Sequence, residues 1–238
     1  MHEQRRLRRH PRQAARRPPE LTARLASLPA PAGLRPARSG AAGGLTHLLY
    51  LHGFRSSPQS AKARWMADWV AANRPDLAWA CPQLPPSPAA ALADIRAIVA
   101  DWPAARTGVI GSSLGGFYAT IVAEMLGCRA VLVNPAVDPA RDLAAHIGRQ
   151  TMYHAQGESF DFRAGYVDEL RAMAPPSPLA HPENILAIIA KGDEVLDWRE
   201  MTARYAHGPM KLIAGSDHGL ADFESHVPDL LRHLGLAT

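Results

Sequence analysis

The sequence predicts an α/β protein: a mainly parallel six-stranded sheet in the order 2-1-3-4-5-6, with helices on both faces and a small cap insertion. Three observations predict this class. From residue 46 onward, short aliphatic runs alternate with longer amphipathic ones, as in a parallel sheet covered on both faces. A glycine-flanked serine at 111–115 lies between one such run and the next amphipathic segment. The alternation is interrupted at 135–184 by a segment far longer than an ordinary connection.

Short apolar runs beside turn residues predict the strands. They cover 47–52, 77–82, 107–111, 130–134, 185–190 and 210–214. Apolar residues three to four positions apart predict helices at 61–72, 88–102, 114–126, 198–206 and 224–234. With the second strand outside the first, the strand order reverses beside Ser113, and sites in open α/β sheets lie at such points.

The interrupting segment, 135–184, is predicted to fold as a lid or cap. It carries several aromatic side chains that suit the wall of an apolar pocket. We expect a substrate pocket that includes Tyr118 from the helix after the serine motif. The cap would add Tyr153, Phe160 and Phe162. For any one of these side chains, packing within the cap's own small core is an equally open interpretation.

Length and composition indicate one catalytic-sized domain, residues 45–238, after a basic extension. With 238 residues and 47% hydrophobic composition, the chain has room for one sizeable core. Residues 1–44 hold ten Arg and two Glu, a net charge of +8, so the remainder of the chain carries −4. The extension is rich in Arg, Pro and Ala and poor in aromatic residues, so we expect it to be disordered.

The same composition bears on partners and location. A clustered basic run could bind nucleic acid or act as a transit-like peptide, but the composition of this extension favours a disordered segment, so no nucleic-acid binding is expected. The longest uncharged stretch, 107–123, is broken by Gly and Ser and is shorter than the roughly 18 apolar residues of a spanning helix, so no membrane span is expected. No apolar segment follows the paired arginines, so the expected location is cytoplasmic. Cys81 and Cys128 suit reduced core thiols, and no metal or cofactor is expected.

The strongest chemical signal is the segment 111–115, Gly-Ser-Ser-Leu-Gly, a G-x-S-x-G motif directly after a strand and directly before a helix. A nucleophile on a strained strand-to-helix turn presents its Oγ above the sheet. Small residues two places away on either side allow neighbouring backbone to pass close to such a turn, and Gly111 and Gly115 supply them. Ser113 is therefore the predicted nucleophile.

Acyl transfer also needs N–H donors directed at the developing oxyanion. The backbone N–H of Leu114, directly after the nucleophile, is one candidate. The turn after the first strand, His-Gly-Phe at 52–54, offers the backbone N–H of Phe54 as the other. His52 precedes the nucleophile, whereas sites with this motif follow the order nucleophile, acid, base. His52 is therefore interpreted as a turn-packing residue.

That order places the acid and the base further along the chain. Asp193 follows the fifth strand and a glycine and is the predicted acid, while Asp197, four residues later, suits a helix N-cap. His218 lies after the last strand and before the final helix, where the base is expected. Its neighbour Asp217 is interpreted as a loop-capping or solvated carboxylate, since adjacent side chains diverge.

Five blocks of the sequence resemble the YqiA-like esterase family. They are YLHGFRSSPQSAKA (50–63), GSSLGGFYAT (111–120), NPAV (134–137), GDEVLD (192–197) and GSDH (215–218), within a match over residues 45–236. The resemblance implies an α/β-hydrolase fold, activity on carboxylic esters, and a catalytic triad of Ser113, Asp193 and His218. Residues 1–44 depart from the family pattern, which begins near the first strand.

The residues and the resemblance together predict a serine esterase that forms an acyl-enzyme on Ser113, with a small-molecule acyl ester or thioester as its partner. Two alternatives stay open. An acyl-CoA thioesterase would use the same triad, with cations such as Arg55, Lys62 and Arg64 meeting a CoA phosphate, although solvated surface charge is the preferred interpretation of these cations. A ligand-binding protein on a hydrolase scaffold is the other alternative, since fold alone does not determine function.

Overall fold

The computed structural model of the chain describes residues 44–154 and 157–236. The predicted disordered extension, 1–44, lies outside these residues except for Gly44. Among the helices of the described residues, none combines the length and the apolar character needed to cross a membrane.

The strands of the described residues form two separate sheets. In chain order the strands are β1 (His47–Leu51), β2 (Ala78–Ala80), β3 (Thr107–Ser112), β4 (Arg129–Val133), β5 (Gly148–Thr151), β6 (Ser159–Phe162), β7 (Ile185–Ala190) and β8 (Met210–Ile213). The main sheet has the order β2-β1-β3-β4-β7-β8 with every pair parallel, and β5 pairs with β6 in an antiparallel hairpin. With the hairpin set aside, the main sheet has the predicted 2-1-3-4-5-6 order, and the predicted fold class is confirmed.

The ends of the main strands depend on where each strand lies in the sheet. Every residue of β3 and β7 is buried, which explains why β7 is a continuous aliphatic run and why β3 contains no charged residue. The edge strand β2 is shorter than predicted, with three residues instead of the range 77–82. It pairs with β1 alone, and Pro82, which has no N–H, cannot extend a ladder.

Helices cover both faces of the main sheet, as predicted. They are α1 (Ala61–Asn73), α2 (Pro88–Val99), α3 (Leu114–Leu126), α4 (Pro139–Asp142), α5 (Ala164–Ala172), α6 (Trp198–Arg204) and α7 (Val227–Leu234). The apolar core on one face includes residues of α2, α3, α5 and α6, and the core on the other face includes residues of α1 and α7.

Two helix boundaries differ from the prediction because of proline. The helix predicted at 88–102 ends at Val99. Trp102 precedes Pro103, and a residue before a proline disfavours the helical conformation, so the helix cannot continue to the predicted end. The helix predicted at 224–234 begins at Val227, after a 3₁₀ turn at Phe223–His226, and Pro228 occupies its first turn, where a missing N–H costs nothing.

The parallel register brings three strand ends together at one edge of the sheet. Ser112 at the end of β3 is the register partner of Val133 at the end of β4, and Val133 is in turn the partner of Ile188 in β7. Residues that directly follow β3, β4 and β7 therefore meet at this edge, where the predicted functional residues fall.

The segment 135–184 packs onto this framework. It contains α4, the β5-β6 hairpin and α5. Phe162, Val167 and Leu170 from this segment are buried in the same core as α2 and α3. The Glu169 carboxylate of α5 accepts hydrogen bonds at 2.8 Å from the Ser87 hydroxyl and from a backbone N–H at the start of α2. The segment is thus joined to the domain by apolar packing and by hydrogen bonds.

Both cysteines are free thiols. Cys128 is buried just before β4, and Cys81 is half-buried just after β2. Burial raises the pKa of each thiol to about 12, so both stay protonated at neutral pH.

Candidate active site

The turn between β3 and α3 holds Ser113 in a strained backbone conformation. Its φ of 57° and ψ of −121° lie in a region that residues other than glycine rarely adopt. Close packing around the turn requires glycine on both sides. A Cβ on Gly111 would lie 2.2 Å from the Gly115 carbonyl oxygen, and a Cβ on Gly115 would lie 2.0 Å from the Leu51 carbonyl oxygen. The structure therefore has the sharp strand-to-helix turn that a G-x-S-x-G nucleophile requires.

Three side chains from separate loops form a hydrogen-bonded row at this edge. Ser113 Oγ lies 3.0 Å from His218 Nε2, and His218 Nδ1 lies 2.8 Å from Asp193 Oδ2. The Asp193 side chain is fully buried, and the His218 side chain is 21% exposed. Because a carboxylate can only accept, Nδ1 carries the imidazole proton and Nε2 accepts from the Ser113 hydroxyl. Such a row can take the serine proton as Oγ attacks a carbonyl carbon.

Backbone groups fix the orientation of the Asp193 carboxylate. Its Oδ1 accepts hydrogen bonds from the N–H groups of Val195 and Leu196, each at 2.8 Å. The second oxygen, Oδ2, is left to face His218. The carboxylate thus has three donors around it, and each of its oxygens has a distinct role.

The two neighbouring aspartates have the structural roles that the sequence predicts for them. The Asp197 side chain is the N-cap of α6 and accepts from the Arg199 N–H at 2.9 Å. Asp217 accepts from the Ala221 N–H at 3.0 Å and so caps its own loop. Neither carboxylate makes a hydrogen bond to an imidazole within the described residues.

His52 is confirmed as a turn-packing residue. Its side chain is buried, with Nδ1 3.0 Å from the Gly53 carbonyl oxygen, and Nε2 accepts from the Leu84 N–H at 3.1 Å. Burial lowers the pKa of His52 below its ordinary value of 6.5, so the imidazole is kept neutral.

Two side chains that the sequence did not single out hold the loop of His218. Asn134, directly after β4, is fully buried at a φ of 42°. Its amide nitrogen donates to the carbonyl oxygens of Asp217 and His218, each at 3.0 Å, and its amide oxygen accepts from the Ala190 N–H at 2.8 Å. The Glu194 carboxylate accepts from the His218 backbone N–H at 3.0 Å. The sequence feature that could have indicated this role is an asparagine directly after a buried strand, because Asn tolerates a left-handed backbone and its side chain bonds to nearby backbone groups.

The turn at residues 52–56, here called the Gly53 turn, packs against the serine. A Cβ on Gly53 would lie 3.2 Å from Ser113 Cβ and 3.6 Å from Ser113 Oγ. Within residues 44–154 and 157–236, the backbone N–H groups of Phe54 and Leu114 donate no hydrogen bond. Both groups are therefore available to an acceptor bound beside the serine, as an oxyanion site requires.

Arg55 links the Gly53 turn to the cap hairpin. Its Nε donates to the Thr151 carbonyl oxygen at 2.7 Å, and its own carbonyl oxygen accepts from the Tyr153 N–H at 2.9 Å. The Arg55 guanidinium also lies over the Tyr153 ring, 4.4 Å from the centroid. The end of β5 is thus attached directly to the turn that flanks Ser113.

Two cavities adjoin the Gly53 turn. The larger, of about 690 Å³, is lined by both Ser113 and His218 and falls in the size range of small-molecule sites. The smaller, of about 270 Å³, is lined by neither of them. The four predicted pocket residues divide between the two. Tyr153, whose side chain is largely exposed, lines the larger cavity. The smaller cavity is lined by Tyr118, Phe160 and Phe162.

Solved structures similar to this chain share its fold at low sequence identity. Alpha/beta hydrolase domain-containing protein 10 from mouse is 14% identical with a TM-score of 0.60, and the match covers 84% of this chain and 92% of that chain. A structure from the study of LipS and LipT, two metagenome-derived lipolytic enzymes, is 18% identical with a TM-score of 0.59 and coverages of 81% and 94%. Est1E from Butyrivibrio proteoclasticus, solved with ferulic acid, is 14% identical with a TM-score of 0.60 and coverages of 82% and 90%. These likenesses establish the α/β-hydrolase fold.

A family model identifies the relationship at the sequence level. The model, described as "Uncharacterised protein family (UPF0227)", matches residues 47–235. This range contains all five sequence blocks that resemble the YqiA-like esterases. The chain therefore belongs to the UPF0227 family, the YqiA-like esterase family.

Proposed function

We propose that this protein is a serine esterase, which hydrolyses carboxylic esters through an acyl-enzyme on Ser113. One observation carries the proposal: the Ser113 Oγ, the His218 imidazole and the buried Asp193 carboxylate form a continuous row with contacts of 3.0 and 2.8 Å. The row borders a cavity of about 690 Å³, which is large enough for a small ester. Nucleophile, base and orienting acid are thus in hydrogen-bond reach of each other beside a substrate-sized space.

In the proposed reaction, Ser113 Oγ attacks the ester carbonyl carbon while His218 Nε2 takes the hydroxyl proton. Negative charge moves to the carbonyl oxygen, and the N–H groups of Phe54 and Leu114 stabilise it. As the tetrahedral intermediate collapses, the bond to the alcohol oxygen breaks and His218 returns its proton to that oxygen. Water then attacks the acyl-enzyme with His218 again as base, which releases the acid and restores Ser113.

Asp193 acts through the imidazole in this proposal. Its Oδ2 accepts from Nδ1–H of His218, which keeps the unprotonated Nε2 facing the serine. The same carboxylate offsets the positive charge that the imidazole gains in the transition state. Asn134 and Glu194 hold the backbone on which this imidazole is carried.

The thioesterase alternative gains no specific support from the described residues. Among the three cations considered for CoA, Arg55 already donates to the Thr151 carbonyl oxygen, and Lys62 donates to the Gly219 carbonyl oxygen. Arg64 lines neither of the two cavities beside the Gly53 turn. Burial also lowers the pKa of Lys62, which reduces its preference for the charged form. The proposal therefore stays with oxygen esters.

A matched pair of serine variants tests the proposed function. Ser113→Ala should lower kcat on p-nitrophenyl butyrate by at least about 10³-fold, because the acyl-enzyme cannot form. Ser112→Ala, which removes the hydroxyl one residue earlier, should retain substantial activity. Circular dichroism spectra of both variants check that the fold is intact. Equal losses in the two variants would contradict the assignment of the nucleophile.

A further inference from the structure

The smaller cavity adjoins the Gly53 turn but is lined by neither Ser113 nor His218. It shares Gly53, Phe54 and Leu114 with the larger cavity, so it borders the position proposed for the ester carbonyl. None of residues 215–222, the loop of His218, lines it. The two cavities are therefore neighbours that share the residues proposed to hold the carbonyl oxygen.

The chemistry of the proposed reaction assigns a different part of the ester to each cavity. The leaving alcohol must lie within reach of His218 Nε2, since it receives its proton from that atom. The leaving group thus belongs in the larger cavity, which His218 lines. The acyl group and the leaving oxygen are different substituents of the carbonyl carbon and extend in different directions, so the acyl group is assigned to the other space that borders the carbonyl position, the smaller cavity.

The walls of the smaller cavity suit a flat aromatic ring. The Phe54 ring packs edge-to-face against Phe162 at 5.2 Å and against Phe160 at 5.8 Å between centroids. The Phe54 ring also lies 5.7 Å from the His146 ring of the larger cavity, so it is part of the walls of both spaces. The remaining wall is mostly apolar and includes three prolines, Pro85, Pro86 and Pro88, although Gln83 and Glu158 also line it. A planar group gains from edge and face contacts in such surroundings.

Among the buried polar side chains that line this cavity, Tyr118 is the one whose polar atom lacks a partner within the described residues. Tyr118 is only 2% exposed and lines the cavity, yet its hydroxyl makes no hydrogen bond to any of the described residues. The buried Tyr205 shows the usual situation, with its hydroxyl 3.0 Å from that of Thr120. The indole nitrogens of Trp65 and Trp69 also lack partners, but they are inaccessible to solvent, whereas the Tyr118 hydroxyl oxygen is accessible.

The Tyr118 hydroxyl stays neutral and can both donate and accept. Burial, together with the nearby Glu169 carboxylate, raises the pKa of Tyr118 well above its ordinary value. A ligand that leaves this hydroxyl unpaired loses a hydrogen bond, whereas a ligand with a matching polar group at that position gains one.

We propose that the smaller cavity binds the acyl group of esters of aromatic carboxylic acids whose ring carries a hydroxyl group, with the Tyr118 hydroxyl as its hydrogen-bond partner. This inference rests on the proposed esterase function. The ring packs against Phe160 and Phe162, and the ester carbonyl reaches Ser113 past the Gly53 turn. The leaving alcohol remains in the larger cavity.

A ratio of rates tests the proposal. We expect kcat/KM for p-nitrophenyl 4-hydroxyphenylacetate to exceed that for p-nitrophenyl phenylacetate by about three- to tenfold, the worth of one neutral hydrogen bond. Tyr118→Phe should bring this ratio close to one. Tyr166→Phe is the matched control, because Tyr166 packs on Phe162 but lines neither cavity, and it should leave the ratio as in the wild type.

Two results would overturn the proposal while the esterase function stands. One is a ratio near one in the wild type, or a ratio that Tyr118→Phe does not change. The other is a higher kcat/KM for p-nitrophenyl octanoate, whose acyl group is a straight alkyl chain, than for either of the two arylacetate substrates. That result would show that the cavity takes an alkyl chain.

A binding measurement separates failure of this proposal from failure of the esterase function. The free acids, 4-hydroxyphenylacetate and phenylacetate, are titrated by calorimetry into Ser113→Ala protein. The hydroxylated acid should bind several-fold more tightly, and the added change Tyr118→Phe should remove that preference. If no ester is hydrolysed and this preference is found, the esterase function fails and the ligand assignment of the cavity stands. If the preference is absent, the ligand assignment fails whatever the rates show.

Discussion

Replacing Asp193 by asparagine tests the hydrogen-bonded row because each carboxylate oxygen has its own partners. The side-chain oxygen of an asparagine would be held by the N–H groups of Val195 and Leu196, which now bond to Oδ1. The amide NH₂ would then face His218 Nδ1 in place of Oδ2. Two donors cannot share a hydrogen bond, so the imidazole proton would move to Nε2. An Nε2 that carries a proton cannot accept one from Ser113.

The expected effect is large. The same replacement in a serine protease triad lowers kcat about 10⁴-fold through the wrong imidazole tautomer. We expect a comparable loss for Asp193→Asn, equivalent to about 5.4 kcal/mol in activation free energy. Asp197→Asn is the matched control, because Asp197 caps α6 and asparagine caps a helix about as well as aspartate. Its kcat should stay within about tenfold of the wild type.

Both purified variants are assayed on p-nitrophenyl butyrate, with thermal unfolding followed by circular dichroism as the control for folding. A folded Asp193→Asn protein with near wild-type kcat would refute the reasoning on the tautomer. A loss in Asp197→Asn that equals or exceeds the loss in Asp193→Asn would show that the orienting acid has been assigned to the wrong residue.

Three further predictions concern the packing around the row. Gly115→Ala should lower both the Tm and kcat, because its Cβ would lie 2.0 Å from a carbonyl oxygen. Gly165→Ala, in helix α5 with nothing within 4 Å of its Cβ, should leave kcat unchanged and should not lower the Tm; equal losses of Tm in the two variants would contradict this. Asn134→Ala should lower the free energy of unfolding, measured in urea, by about 1–3 kcal/mol, because the buried Ala190 N–H loses its acceptor. The same change should lower kcat, and an unchanged kcat would show that the His218 loop does not depend on this amide. Burial lowers the pKa of His52, so the unfolded chain binds a proton at this imidazole more readily than the folded chain does. The contribution of His52 to stability is therefore complete above about pH 6.5 and is lost as the pH falls. The drop in Tm between about pH 7.5 and 5.5 should therefore be smaller in His52→Gln, and an equal drop in both proteins would count against this explanation.

The parts of the site that the sequence predicts are those that depend on chain order. The motif around Ser113 is a local unit of strand, turn and helix, so its geometry follows from about ten consecutive residues. Asp193 and His218 could be assigned because each lies in the loop after a parallel strand, and the carboxyl ends of such strands meet at one edge. The N-cap at Asp197 is equally local, since a cap bonds within its own first turn.

The parts that the sequence did not show depend on contacts between distant segments. Asn134 bonds to backbone groups 56 and 83 residues away, and no local pattern reveals which loops its amide will reach. The separation of Tyr118 from Tyr153 has the same origin. The sequence grouped them in one pocket, but Phe54 is part of the walls of two cavities, and its position depends on the packing of the cap hairpin. Residue types alone predicted an aromatic pocket but not its division.

The most direct test of the central proposal is to identify the residue that a fluorophosphonate ester modifies. The reagent should attach to a serine oxygen with loss of fluoride only where a base activates that oxygen, as the His218 imidazole does for Ser113. We predict a single phosphonyl adduct per chain, located on Ser113 by peptide mass spectrometry, absent from Ser113→Ala and formed far more slowly by His218→Ala. An adduct on another residue, or no adduct in folded protein, would contradict the proposal that Ser113 is the nucleophile of an esterase.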